Sequence, residues 1–193
     1  MSGTLARLTP RLHLRSLRAA DADAWIRAHQ ASAAEFDRWM PRSDPTVDYR
    51  RRFHLALARA LDGERQQIAY TFVAEHRVDR ELVAFCSLSQ VFRGPFQNAY
   101  AGWRVSTPYV GQGIGREAVS AMLDVAFDEA MGLGLHRVQA NVIPTNAPSL
   151  KLARAVGFRE EGYAVKYLEI DGRYQDHVMF AKLAEEHVIG GGS

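Results

Sequence analysis

The stretch "VGQGIGREA", residues 110–118, sets three glycines within five positions and runs directly into a helical pattern. From 115 to 131 the apolar positions Ala118, Val119, Met122, Leu123, Ala126, Phe127 and Ala130 recur with a period of about 3.6 residues. That pattern predicts an amphipathic helix lying on a sheet. A helix start carries backbone N–H groups without intrahelical partners and a partial positive charge. Glycines at such a point let a phosphate approach those groups closely. Two readings stand at this point: a tight strand-to-helix turn, or a phosphate cradle.

The surrounding chain decides what kind of fold holds this turn. Residues 12–17 alternate apolar and polar and predict a strand. A helix follows over 19–32, with Asp21 and Asp23 near its positive end. Pro41 and Pro45 break the chain after "FDRWM", and Thr46 is placed to cap a helix over 47–61. Strands at 68–76 and 81–91 join across a polar turn near Val78-Asp79-Arg80, and 98–105 reads as a third. After the glycine helix come a strand at 136–143 and a helix over 147–156, with Asn146 as its cap and Gly157 as its stop. Asp171-Gly172 between two alternating runs signals a hairpin. The sum is an α/β fold of α+β type: a mixed, mostly antiparallel twisted sheet of six to seven strands with helices on both faces. Neither an internal repeat nor a linker interrupts 1–184, which reads as one domain. Residues 185–193 read as a tail ending in "GGGS".

Composition narrows the function classes. The 193 residues are 47% hydrophobic and carry a formal charge of +2, too small to argue for direct reading of nucleic acid. The Arg50-Arg51-Arg52 run reads as a solvated helix face. The single cysteine, Cys86, sits in an apolar run, so no internal disulfide is expected and a cytoplasmic setting is. No apolar run is long enough to span a bilayer, and the first residues do not read as a secretory signal. No metal site is expected.

Gly113 to Ala118 satisfies the G-x-G-x-x-A dinucleotide pattern. The strands before it look antiparallel, however, and no acidic residue lies around 135–140 to hold a ribose. The lysine of a P-loop is also missing. What remains is a loop that offers a pyrophosphate its backbone donors. A second stretch, "NVIPTNAPSLKLARAVGF", places Asn146 and Ser149 three apart at a helix start, where both can face one ligand or simply cap the helix.

Together the two stretches resemble the GNAT superfamily of acyl-CoA-dependent N-acetyltransferases. The family pattern [RQ]-x-x-G-x-[GA], followed by N-x-x-[AS] and G-F, corresponds here to residues 110–115, 146–149 and Gly157-Phe158. The segment from His136 to Leu183 is similar to the RimJ branch, the ribosomal-protein alanine N-acetyltransferases, and "RWMP" at 38–41 matches its Trp-x-Pro kink. The resemblance implies an acetyl-CoA site. The pyrophosphate would lie on the amides of Gly111, Gln112, Gly113, Ile114, Gly115 and Arg116, after Val110. Pantetheine would follow the strand edge of Trp103, Arg104 and Val105, with Asn141 and Asn146 as partners and Ser149 near the thiol. Glu35, Trp39, Tyr100, Tyr167 and Asp176 would meet the acceptor. The implied partner is a peptide or protein N-terminus, such as that of a ribosomal protein, and the implied state a monomer or weak homodimer.

Three positions depart from the family. Val110 replaces the usual Arg or Gln. Tyr100 stands where many relatives place a glutamate on the fourth strand, and Ala153 where a last-helix tyrosine is common. Tyr100, Glu35 and Asp176 are the candidate proton acceptors, against plain readings as a sheet-face tyrosine and two solvated carboxylates. Ser149 is the candidate donor to the leaving thiolate. The fold also hosts small-amine, antibiotic and toxin acetyltransferases, and the missing glutamate and tyrosine leave room for a non-catalytic acyl-CoA-binding module.

Overall fold

The computed structural model describes residues 5–39, 44, 46–170 and 172–190. The chain opens with strands β1 (Ala6–Leu8) and β2 (Leu12–Ser16), then helices α1 (Ala22–Ala31), α2 (Ala33–Trp39) and α3 (Tyr49–Arg65). Strands β3 (Tyr70–His76), β4 (Leu82–Phe92) and β5 (Asn98–Val105) follow as an antiparallel meander. Helix α4 (Ile114–Phe127), strand β6 (Arg137–Val142), helix α5 (Ala147–Ala155) and strands β7 (Arg159–Ile170) and β8 (Arg173–Leu183) complete it.

All eight strands form one sheet in the order β1-β2-β3-β4-β5-β6-β8-β7. Among the described residues only β5 and β6 run parallel, and they pair from Asn98↔Arg137 to Tyr100↔Gln139 and no further. Beyond Tyr100 the strands part. β6 stays with β8 as far as Val142↔Val178, and β5 stays with β4 as far as Val105↔Ala84. A fork is left open in the middle of the sheet.

Two apolar clusters occupy opposite faces. Beneath α4 and α5 lie Leu12, Leu14, Phe72, Cys86, Leu88, Val138 and Phe180, against which Met122 of α4 packs. Under α1–α3 lie Trp25, Phe36, Phe53, Val73 and Phe85. The pleat sends alternate side chains of a strand to opposite faces. On β5, Ala99, Ala101, Trp103 and Val105 therefore face α4, while Arg104 meets Phe36 and Phe85 on the other side. Cys86 is buried, and burial pushes its thiol up to about 12, so it is inert at neutral pH. The fully buried Arg15 guanidinium pairs with Asp21 and Glu75, tying β2 to β3 and to the start of α1.

The sequence pattern is short by one strand, β1, whose three residues cannot show an alternation. Helix α3 is capped by Asp48, whose carboxylate accepts from the Arg51 amide at 2.9 Å; Thr46 instead bonds Asp44. Helix α4 stops at Phe127 rather than Met131. The Asp128 backbone turns extended, and its carboxylate takes the amides of Ala130 and Met131. Met40, Pro41, Pro45 and Asp171, with the kink and half of the hairpin turn expected there, lie outside the described residues, as do the last three residues.

Candidate active site

The glycine loop is built from backbone conformation. Gly111 and Gly113 have φ of 81° and 78°, the left-handed region that side chains disfavour. Gly113 is the N-terminal cap of α4 and supplies no side-chain acceptor to it. Among the described residues the amides of Gly111 through Arg116 find no partner, whereas the Glu117 amide is the first to bond, to Gly113 at 3.2 Å. A cluster of donors therefore points outward from a helix N-terminus. A Cβ on Gly111 would meet nothing within 4 Å, so the loop is open on that side. A Cβ on Gly115 would come within 3.1 Å of Val105 Cγ2 and 3.2 Å of Leu152 Cδ2. Glycine here lets α4 sit close to β5 and α5.

A buried carboxylate fixes the loop. Glu117, one turn into α4, accepts from the Thr9 hydroxyl at 2.5 Å, the Arg11 amide at 2.9 Å and Arg11 Nε at 2.6 Å. Burial alone would raise its carboxyl pKa, but these donors outweigh it and hold the pKa below the ordinary value. Arg11 also donates to the Gln112 carbonyl at 2.8 Å, and Gln112 Nε2 to the Pro108 carbonyl at 2.8 Å. Ile114 is in the core, while Val110 and Arg116 are exposed. The outward amides and the absence of any crowding Cβ at Gly111 suit the pyrophosphate of a coenzyme.

Asn146 caps α5, its Oδ1 accepting from the Ser149 amide at 3.2 Å. Ser149 Oγ is half-buried and has no partner among the described residues. On β5, Trp103 approaches Phe158 at 6.0 Å between centroids, and Val105 packs on Gly115. The side chain of Arg104 lies on the opposite face.

That opposite face carries a chain of polar groups. Gln139 Nε2 donates to Asn141 Oδ1 at 3.2 Å, and Asn141 Nδ2 donates to Tyr167 Oη at 2.9 Å. Burial raises the Tyr167 pKa, and neighbouring Tyr100 adds to this. The buried His177 ring lies 5.4 Å from Tyr167. Tyr100, Asn141 and Tyr167 are thus brought together. Gly102, next along this face of β5, has no room for a side chain beside Ser87, because a Cβ there would sit 2.9 Å from Ser87 Oγ. Glu35 accepts from Trp39 Nε1 at 2.9 Å within α2. The Asp176 carboxylate accepts from Tyr163 Oη at 2.8 Å and from the Lys166 amide at 2.7 Å, where β7 bulges. The Lys166 amide first, then Tyr163, holds its pKa below the ordinary value. Asp176 is therefore a clamp on the hairpin and a poor base. Gln139, His177 and the Arg11–Glu117 brace are absent from the sequence reading. Of these only Glu117 left a local sign, a carboxylate in the first turn of a helix.

Among the described residues no group of three or more His, Cys, Asp or Glu side chains is placed to hold a metal ion, and no helix is long and apolar enough to cross a membrane.

A forked sheet, outward amides at a glycine turn and a capped second helix beside the fork are features suited to an acyl-CoA-dependent acyltransferase. The acetyltransferase (GNAT) domain family matches residues 11–159, and the chain belongs to that family of acetyl-CoA-dependent N-acetyltransferases. Within it the chain falls in the RimJ-like branch. It is 31% identical over 163 residues to the [ribosomal protein uS5]-alanine N-acetyltransferase of Escherichia coli (strain K12), covering 83% of this chain and 82% of that one. It is likewise 31% identical over 175 residues to the probable N-acetyltransferase YjcK of Bacillus subtilis (strain 168), covering 89% and 93%. The structure of Mycobacterium smegmatis RimJ in complex with CoA-disulfide superposes with a TM-score of 0.80 at 33% identity, covering 91% of this chain and 83% of that one.

Proposed function

We propose that this enzyme acetylates the N-terminal α-amine of a peptide or protein whose first residue is small, alanine or serine, a ribosomal protein being the foremost candidate, in the cytoplasm. The observation that carries this reading is the chemistry of the acceptor face. Tyrosines and amides line it, and the two carboxylates considered as bases are already engaged, Glu35 by Trp39 and Asp176 by Tyr163 and Lys166. Such a face suits an amine that loses its proton easily. An α-amine has a pKa near ~8, whereas a lysine amine near ~10.4 asks for about 3 kcal/mol more at neutral pH. The names of the RimJ-like relatives support the same class of acceptor.

Acetyl-CoA supplies a thioester that a neutral amine can attack. The chain's own groups bind, orient and move protons. The amides of Gly111 to Arg116 hold the pyrophosphate, and the open edge of β5 at Trp103–Val105 aligns pantetheine as an added strand, with Asn141 and Asn146 nearby. A β5 backbone N–H polarises the thioester carbonyl. Tyr100, linked through Tyr167 to Asn141 and Gln139, receives or relays the amine proton. Ser149 Oγ returns a proton to the leaving thiolate, directly or through water. Direct attack in a ternary complex needs no acyl-enzyme, and the buried Cys86 is unsuited to forming one.

Thiol release from acetyl-CoA, measured over short peptides that differ in their first residue, tests the proposal. The expected result is turnover of peptides beginning with Ala or Ser and little turnover of a lysine peptide whose α-amine is blocked. With the good acceptors kcat/KM should rise between about pH 6 and 9, through the amine's own pKa. Efficient lysine acetylation, or a flat profile, rejects it.

A further inference from the structure

Among the described residues the other buried or half-buried arginines have polar partners. Arg15 has Asp21 and Glu75, Arg7 has Asp128, Arg137 has Glu161, and Arg52 donates to the Val47 and Asp44 carbonyls. Arg104 is the exception. Among the described residues no carboxylate lies within ion-pair distance of it, although it is half-buried. Its guanidinium carbon lies 5.0 Å from the centroid of the Phe36 ring and 5.6 Å from that of Phe85. His29, whose ring meets Phe85 edge-on at 4.7 Å, is the next wall, and its Nε2 is buried without a partner. A cation drawn out of water is costly unless an anion meets it, and aromatic faces offset only part of that cost.

The position is informative. Arg104 shares its face of β5 with Tyr100 and Gly102, on the side away from α4 and its glycine loop. Two residues of strand, about 7 Å, separate it from Gly102, which carries no side chain. A group bound over Gly102 and a group bound at Arg104 are thus within the span of one or two residues of an acceptor. The planar fork of a guanidinium fits a carboxylate through two parallel hydrogen bonds.

We propose that Arg104 is the specificity anchor of the acceptor groove and takes a carboxylate that the acceptor carries close to its amine. This rests on the amine-acetylating reading above. The carboxylate has two possible sources: an acidic side chain near a peptide N-terminus, or the terminal carboxylate of a very short acceptor.

Calorimetric titration of the CoA-saturated protein separates them. One arm compares Ala-Asp-Ala-amide with Ala-Asn-Ala-amide, and the other compares Ala-Ala bearing a free carboxylate with Ala-Ala-amide. The acid is expected to bind at least tenfold more tightly than its amide in one arm, Arg104→Gln to erase that ratio, and Arg104→Lys to keep part of it. A purely structural Arg104 would weaken acid and amide together and leave the ratio unmoved. Equal binding of acid and amide in both arms overturns the proposal. So does a ratio that survives in Arg104→Gln, or a loss of CoA affinity in that variant with the ratio intact. If Arg104→Gln does not fold, the wild-type ratio and Arg104→Lys carry the test. Failure of the amine-acetylating reading looks different: acid-dependent binding persists while no peptide releases thiol from acetyl-CoA.

Discussion

The His29 ring stacks on Trp25 with centroids 3.5 Å apart, and its Nδ1–H donates to the Trp25 carbonyl at 2.9 Å, one turn back. Burial first, then the charge of Arg104, lowers its pKa to about 3. An unfolded chain protonates this ring near 6.5, so between the two values the unfolded state binds more protons. The stabilisation is complete above about pH 6.5 and drains away as pH falls toward 3. Over the interval from about 6.5 to 5 the wild type should lose about 2 kcal/mol more than His29→Phe, which keeps the aromatic stack but cannot titrate. Urea unfolding at pH 7.5 and pH 5 reads this directly, and parallel losses in the two proteins would refute it. His29 does not stand out in the sequence, and its neighbour Arg104 does so only as part of a strand edge. Their meaning comes from Phe36 and Phe85, brought over them by different elements. Asn146 and Gly113 are legible because each acts on backbone within a few residues of itself.

At the scale of the element, the turn into α4 was readable from its glycines alone, but the brace that holds it was not. Glu117 reaches Thr9 and Arg11, more than a hundred residues away in the chain. No local pattern records such a contact. Length set a similar limit on β1, and Thr46 lost the cap of α3 to Asp48 because both are good cappers and only the chain's path chooses between them. Gly113→Val places a branched side chain at φ 78°, with its Cβ 3.3 Å from Arg11 Nη2, beside the outward amides. Acetyl-CoA affinity should fall at least tenfold, about 1.4 kcal/mol. The far-ultraviolet spectrum should stay native, since the helix core is untouched. Undiminished affinity in a fluorescence titration would remove the loop from the binding site.

For the whole molecule, the two apolar clusters lie on opposite faces of one sheet, and the fork between β5 and β6 interrupts the pairing in its middle. A ligand that bridges the glycine loop and the β5 edge binds the folded chain alone and stabilises it by mass action. At a hundredfold excess over Kd, CoA should add about 2.7 kcal/mol, which for a chain of this size raises Tm by about 5–11 °C. Gly113→Val should show less of this gain at the same CoA concentration. A Tm indifferent to CoA would mean that the fork and loop do not act as one site. The succession of strands and helices along the chain is legible in the sequence. The fork is not, because it depends on β6 following β8 rather than β5.

The fork also bears on how such a protein evolves. Each backbone group along Ala101–Val105 that faces the gap forgoes a ladder bond to β6. A population selected only for heat resistance would gain by knitting that seam shut, and every step would look like an improvement until turnover vanished. Selection on activity would keep the opening against a pull toward a better sheet. Stabilising substitutions compatible with catalysis should therefore accumulate on the outer strands and helices, and be rare along the two margins of the gap.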